Sequence, residues 1–142
     1  TNSAGEKYSN ILNKIFTNEY DFKDYDRATN IYWPGNKLGH GREDVIKFWN
    51  SLKSILSEIK FKIEHVGYLD EPNRNPRASI RWSLEGIHSK DSKDYGKKTN
   101  SNLSFIGINH AELNPYGVIK EWVLFDEVAI WKQILMNKNK NG

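Results

Sequence analysis

The order of two periodicities along the chain constrains the fold more than any other feature of the sequence. Apolar residues recur every three or four positions over Glu6–Glu19 and again after Gly41, which is typical of amphipathic helices. From residue 59 onward the pattern changes to alternation, as in Ile59–His65 and Ala78–His88, which is typical of half-buried strands. Helices followed by a run of antiparallel strands predict an α+β fold, in which a curved sheet wraps over the helices and leaves a pocket at its open end.

Shorter signals complete the predicted order of elements. They are a helical turn at Asp21–Ala28, a brief strand at Ile31–Trp33, a strand at Asn102–Leu113, a second one from Gly117, and a short helix after Asp126. The turn sequence Asn-Pro-Tyr-Gly at 114–117 joins the last two strands and predicts a hairpin. Residues 137–142 are expected to be disordered.

Length and composition predict one domain over 1–142, with an ordered core of about 6–136. The chain contains no cysteine, which excludes a disulfide framework, a thiol nucleophile and a thiolate metal site. No apolar run reaches the roughly 18 to 20 residues that cross a bilayer, and no signal peptide is recognisable at the amino end. We therefore expect a cytoplasmic protein without a membrane partner.

The distribution of charge argues against a nucleic-acid partner. The formal net charge is +3, but the basic residues are spread along the chain and do not form a stripe on one face. The aromatic residues follow buried periodicities instead of alternating with basic residues, as single-strand binding would need. The sequence therefore predicts no nucleic-acid binding.

The segment Gly117–Leu135 contains the leading candidate for chemistry. In an extended chain Trp122, Leu124 and Asp126 share one face, so a carboxyl group would end an apolar row and point into the interior. Desolvation there would raise its pKa toward a range useful for proton transfer. A structural role is the alternative, because Asp126 directly precedes a helical pattern, where an aspartate N-cap contributes about 1 kcal/mol.

Other candidate residues continue the apolar faces of the predicted strands. His65, His88 and His110 each extend such a face, and together they could converge in one cavity near Asp126. The alternative for each is a buried imidazole bound to backbone or hydroxyl, and a single β-bulge would turn it outward. Their spacing has no metal-binding pattern, so no metal site is predicted. The residues expected to wall the cavity and contact a ligand are Trp33, His65, Trp82, Ile108, Trp122 and Leu124. Tyr20, Tyr25 and Tyr32 could donate hydrogen bonds into it, with a position in the core or at the surface as the favoured alternative for each.

Three stretches of the chain resemble the SnoaL-like polyketide cyclase group of the nuclear transport factor 2-like superfamily. They are Gly41–Trp49, Ile80–His88 and the closing pattern that runs from Gly117 to the Trp-Lys-Gln at 131–133. The resemblance covers about Lys7 to Leu135 and implies a cone-shaped α+β barrel with a central apolar pocket. It also implies that Asp126, spaced as in Trp-Xxx-Xxx-Xxx-Asp after Trp122, acts as the acid/base of an aldol closure, and that His88 occupies a motif position commonly filled by histidine.

The sequence therefore predicts a cofactor-independent enzyme of the cyclase, isomerase or dehydratase type that acts on an apolar, carbonyl-bearing small molecule. Asp126 would be the general base, and His88 or His110 would polarise the carbonyl. The alternative is a non-catalytic module that binds a small molecule or a protein through the same cavity or the outer sheet face. Superfamily members often pair through that face, which predicts a homodimer whose contacts include Ser79, Arg81, Ser83 and Glu85.

Overall fold

The structure is a computed structural model that describes residues 3–17 and 19–141. Its elements are α1 (Ser3–Thr17), β1 (Tyr25–Trp33), β2 (Lys37–His40), α2 (Gly41–Lys53), β3 (Leu56–Leu69), β4 (Arg77–His88), β5 (Asn102–Asn114), β6 (Gly117–Phe125) and α3 (Glu127–Asn141). The predicted α+β class is confirmed.

The six strands form one curved, open sheet in the order β2-β1-β6-β5-β4-β3. Neighbouring strands are antiparallel, except that β1 and β6 run parallel. The sheet is therefore mixed and not purely antiparallel as predicted, because a strand from the beginning of the chain lies beside the last strand. The strands β2 and β3 are its two edges.

The hydrophobic core lies between the two N-terminal helices and one face of the sheet, which we call the inner face. Helix α1 contributes Tyr8, Leu12 and Ile15, whose spacing of four and three residues places them on one side of the helix. On β4, Ala78, Ile80, Trp82 and Leu84 are buried and alternate with more exposed residues. The predicted phase of β4 is therefore confirmed, and its other side belongs to the outer face of the sheet.

Four local elements differ from the predictions. The expected helical turn at Asp21–Ala28 is a tight turn followed by the start of β1, because Phe22 adopts a left-handed backbone with φ of 58°. The short strand β2 was not predicted. The helical apolar pattern after Gly41 predicts a helix that includes Ile55 and Leu56, but α2 ends at Lys53 and Leu56 belongs to β3. Helix α3 continues to Asn141, beyond the point at which the sequence predicts the ordered core to end.

Candidate functional site

Glu121 carries the only carboxyl group that is fully buried in the part of the chain that the structure describes. It lies on β6 in phase with Val123 and Phe125, which are buried on the inner face. Period-two alternation thus places a polar side chain in a row that is otherwise apolar. A buried ionisable group needs partners, since an unpaired one is costly.

Three hydrogen-bond donors from three different elements converge on this carboxyl group. Tyr8 of α1 donates its hydroxyl to Oε2 at 2.5 Å. Tyr25 of β1 lies 2.8 Å from Oε2 and 2.9 Å from Oε1, and the indole Nε1 of Trp49 on α2 donates to Oε1 at 3.2 Å. The sheet and both N-terminal helices therefore hold the carboxyl group together.

A second pair of buried side chains extends the network across the inner face. Asn109 of β5 donates its side-chain amide to the hydroxyl oxygen of Tyr8 at 2.9 Å. Its amide oxygen in turn accepts the indole N–H of Trp82 on β4, also at 2.9 Å. Six elements thus supply one connected set of polar groups, which we call the Glu121 network: Tyr8, Tyr25, Trp49, Trp82, Asn109 and Glu121.

Burial sets the proton affinities in this network. Desolvation raises the pKa of Glu121 to about 7, although the hydrogen bonds from Tyr8, Tyr25 and Trp49 act in the opposite direction. Desolvation and the nearby carboxylate raise the pKa of both tyrosines well above the ordinary value. Near neutral pH, the phenols are therefore protonated donors, while Glu121 can exchange a proton.

Aromatic rings fill much of the space beside the network. The ring of Trp82 packs edge-on against Phe105 and lies 6.3 Å from Phe125 between centroids. A side chain in place of Gly107 would collide with it, since a Cβ there would lie 2.1 Å from the Trp82 ring. Pockets of about 250 to 910 Å³ lie at the surface of the described residues, and Glu121 lines none of these. The structure therefore holds the carboxyl group in a packed interior.

The largest of these pockets, about 910 Å³, lies on the other side of the sheet, between the β1–β2 hairpin and the outer face of β5 and β6. Tyr32 and Trp122 stack on that face with ring centroids 5.5 Å apart and an interplanar angle of 6°. Predicted site residues do line this pocket, namely Trp33, Ile108, His110, Trp122 and Leu124. They line a pocket on the outer side of the sheet instead of the expected central cavity, and Asp126, His65, Trp82 and His88 do not line it.

Asp126 does not point into the interior, so this expectation is wrong. It is exposed just after β6, and its Oδ1 accepts the backbone N–H of Ala129 at 3.0 Å in the first turn of α3. The alternative considered for it, an N-cap, is the geometry that the structure shows. Trp122 and Leu124 share its outward phase and are 37% and 66% exposed, so the prediction for β6 was displaced by one residue.

The three histidines do not converge. His65 is exposed, because a bulge between Ile63 and His65 turns it outward. His110 lies on the outer face, opposite Trp122 in the strand pairing. His88 is fully buried, with Nδ1 3.2 Å from the hydroxyl oxygen of Thr99, and burial lowers its pKa.

His88 is also remote from Glu121. The pairing places Glu121 beside Ala111 and Ala111 beside Ala78, at the opposite end of β4. At about 3.3 Å per residue, His88 lies roughly 30 Å farther along that strand. A direct role of His88 at the Glu121 carboxyl is therefore ruled out by distance.

Two further observations concern the described residues as a whole. They contain no group of three or more histidine, aspartate or glutamate side chains placed to hold a metal ion. None of their helices combines the length and the apolar character that crossing a membrane requires.

Comparison with known proteins identifies relatives by fold only. No family model matches the sequence, and no curated protein matches it. A protein named as a SnoaL-like polyketide cyclase from Jannaschia sp. CCS1 superposes with a TM-score of 0.73 at 13% identity, over 94% of this chain and 95% of that one. One of the same name from Shewanella putrefaciens CN-32 gives 0.73 at 14% identity, over 96% and 88%. An epoxide hydrolase of the LEH-like type from M. tuberculosis gives 0.68 at 13% identity, over 98% and 94%.

These similarities confirm the predicted resemblance at the level of the fold. Several of the structural neighbours are named as polyketide cyclases, two of them as SnoaL-like, and the matches extend over nearly the whole chain. Because neighbours with the same architecture include proteins named as cyclases and as an epoxide hydrolase, the fold does not select one reaction. Any reaction therefore depends on the particular side chains that this chain places on the fold.

Proposed function

We propose that this protein is a small-molecule enzyme of the cyclase, isomerase or dehydratase type, in which Glu121 transfers a proton to or from an apolar, carbonyl-bearing substrate. The observation that carries the proposal is the convergence of Tyr8, Tyr25 and Trp49 on a fully buried carboxyl group. Glu121 takes the role for which the sequence suggested Asp126.

The chemistry follows from the protonation states in the network. A base whose pKa is about 7 is half ionised at neutral pH and still strong enough to remove a proton beside a carbonyl. The proton would pass to a Glu121 oxygen, and its electron pair would form the enolate. Tyr8 and Tyr25 remain protonated, so either phenol can donate a hydrogen bond to the enolate oxygen.

Access is the structural requirement of this proposal. Tyr8, Tyr25, Trp49 and Glu121 are all fully buried, so a substrate can reach the carboxyl group only if α1 or α2 shifts away from the sheet. Such openings of packed helices take place on the microsecond-to-millisecond timescale in enzymes that close over their substrates. Ligand-induced changes in the environment of Trp49 would report this movement.

The test uses exchange of solvent deuterium into a panel of hydrophobic ketones, because this reaction needs only a base and an enolate donor. NMR follows loss of the proton beside the carbonyl. Glu121→Gln should lower the exchange rate by about 10² to 10⁴-fold with the fold retained. Asp126→Asn is the matched control and should leave the rate unchanged. Equal rates for the parent and Glu121→Gln, or a large loss in Asp126→Asn alone, would refute the assignment.

A second candidate function, a non-catalytic interaction module, is favoured by the outer face of the sheet. Four apolar side chains there are between 37% and 66% exposed, namely Ile106, Ile108, Trp122 and Leu124. Contiguous exposed apolar surface of this kind is typical of interaction sites. In this account Glu121→Gln leaves ligand and partner binding intact, because the carboxyl group serves only the core.

Either function is compatible with a homodimer through the outer face, which we also propose. The residues predicted for the contact, Ser79, Arg81, Ser83 and Glu85, do lie on the same side of β4. Burying the adjacent apolar side chains of β5 and β6 would stabilise an isologous pair. Light scattering at several concentrations tests the dimer, and Leu124→Asp is expected to give a monomer. A parent protein that is monomeric at every concentration would count against it.

A cytoplasmic location stays a prediction.

A further inference from the structure

Two residues that do not touch Glu121 determine the direction of the hydrogen bonds around it. Trp82 donates its indole N–H to the amide oxygen of Asn109, and Asn109 donates its amide N–H to the hydroxyl oxygen of Tyr8. All four side chains, including Glu121 at the end of the chain of bonds, are fully buried. No water is needed to explain any of these contacts, since each distance lies in the range of a direct hydrogen bond.

The direction follows from what each group can donate. An indole N–H is a donor only, so the Asn109 atom that faces Trp82 must be the carbonyl oxygen. The amide nitrogen of Asn109 therefore faces Tyr8, whose oxygen accepts from it. The single proton of the Tyr8 hydroxyl is then available for Glu121.

The reverse orientation of the amide is unfavourable at both ends. Two N–H groups would face each other at Trp82, and the amide oxygen of Asn109 would compete with Glu121 for the Tyr8 proton. Because the bonds run in one direction toward the carboxyl group, they polarise and strengthen one another. The arrangement therefore favours the unprotonated state of Oε2, the Glu121 oxygen that accepts the hydrogen bond from Tyr8.

Tyr25 differs from Tyr8 in this respect. Its hydroxyl contacts both carboxyl oxygens, at 2.8 and 2.9 Å, and no donor to its oxygen is found among the described residues. When Glu121 takes up a proton, the new O–H can donate to the Tyr25 oxygen after the Tyr25 hydroxyl hydrogen turns to the other side of its ring. Tyr8 and Tyr25 are the titratable groups that face the carboxyl group, whereas Trp49 of α2, which also donates to it, does not ionise.

We propose that Trp82 and Asn109 are positioning residues that hold Tyr8 as a fixed hydrogen-bond donor to Glu121, so that proton exchange takes place on the Tyr25 side. From the proposed function this inference takes only the identity of Glu121 as the group that exchanges a proton. It adds a division of labour between the two tyrosines and assigns a role to two residues outside the carboxyl group's own contacts.

The experiment measures the proton affinity of Glu121 directly, without substrate. The protein is labelled with ¹³C at the glutamate side-chain carboxyl, and Glu121→Gln identifies the resonance of Glu121 by its disappearance. Titration gives the midpoint in the parent, in Trp82→Phe, in Asn109→Leu and in Tyr8→Phe. Loss of the fixed donor should raise the midpoint by about 0.5 to 1 pH unit in each variant, the effect expected of one hydrogen bond to the charged form.

The decisive comparison is between variants made in the parent protein and the same variants made in Tyr8→Phe. In Tyr8→Phe, the further changes Trp82→Phe and Asn109→Leu should shift the midpoint no more, because they act through the Tyr8 hydroxyl. Phe105→Leu is the control for packing, since it disturbs the same Trp82 ring and removes no hydrogen bond. It should leave the midpoint unchanged.

Three results would overturn the inference: unchanged midpoints in folded Trp82→Phe and Asn109→Leu, an equal shift in Phe105→Leu, or full shifts that persist without the Tyr8 hydroxyl. If Trp82→Phe does not fold, Asn109→Leu alone decides, because it removes the same relay and keeps the number and branching of the side-chain heavy atoms. The outcome is independent of turnover. A shifted midpoint without ketone exchange would remove the proposed function and keep the relay.

Discussion

The inner and outer faces of β5 and β6 are both rich in apolar side chains, yet only the inner face is covered. Phe105, Val123 and Phe125 belong to the buried core, whereas Ile108 and Leu124 on the opposite side remain 41% and 66% exposed. The inner face nevertheless contains a carboxyl group, that of Glu121, and protein donors hydrogen-bond both of its oxygens. The neighbouring elements therefore decide which face is buried, and a polar residue on the covered face is accompanied by hydrogen-bond partners.

The largest expected difference between the faces concerns two tryptophans. Trp82→Ala should lower the free energy of unfolding by about 3 to 5 kcal/mol, because it empties a closely packed site and leaves the Asn109 amide without its donor. Trp122→Ala, on the outer face, should cost less than about 1.5 kcal/mol, since Trp122 is 37% exposed and its main contact is the stack on Tyr32. Urea unfolding of both variants measures the difference.

The same urea measurements also test the proposed dimer contact on the outer face. At concentrations where the protein is dimeric, Trp122→Ala should become more destabilising as the protein is concentrated, because it weakens the pair. The effect of Trp82→Ala should not depend on concentration in this way. Equal losses in both variants at low concentration would contradict the assignment of the two faces.

The same contrast explains how far the sequence could predict the sheet. In β4 one phase is polar, with Arg81 and Glu85, so alternation alone selects the buried face and the prediction was correct. In β5 and β6 both phases contain apolar residues, so hydrophobicity cannot distinguish them, and the predicted phase was wrong for Ile108 and Trp122. The amino-acid sequence of a strand carries little information about which other element or partner covers its second face.

A second expected effect is the pH dependence of stability that burial of Glu121 produces. Its pKa is about 7 in the folded protein against an ordinary value of 4.5, so the native state binds the proton more tightly than the unfolded state. The contribution is therefore complete below about pH 4.5 and is lost as the pH rises to about 7. A shift of this size corresponds to about 3 kcal/mol.

Glu121→Gln isolates this effect, because a neutral amide of the same shape cannot titrate. The difference in unfolding free energy between the parent and Glu121→Gln should change by about 3 kcal/mol between pH 4.5 and 8, in favour of the parent at the acidic end. Other groups, such as His88, titrate in both proteins and cancel. A difference that is flat over this range would show that the carboxyl group is solvated or is paired more strongly than the structure indicates.

The site was harder to predict than the fold for a physical reason. The carboxyl group and its partners come from six separate elements, and only the tertiary arrangement brings them together. One local signal was present in β5, since a glycine inside a strand indicates close approach on the face to which it points. Gly107 faces Trp82, which places Asn109 inward as well, and the pairing of β5 with β6 then brings Glu121 to the same face.

The smallest expected effect concerns Asp126, the acid on the uncovered side of the comparison. Asp126→Ala should lower the free energy of unfolding by about 1 kcal/mol, because the N–H of Ala129 loses its acceptor at the start of α3. Asp70→Ala, at an exposed position outside the helices, is the matched control and should change stability by less than about 0.5 kcal/mol. Asp126→Asn should retain most of the stability, since asparagine also caps helices, and none of these variants should alter the pH dependence assigned to Glu121. If Asp126→Ala removed that pH dependence, the titrating carboxyl group would lie at the end of β6, and the division between the two acids would have to be reversed.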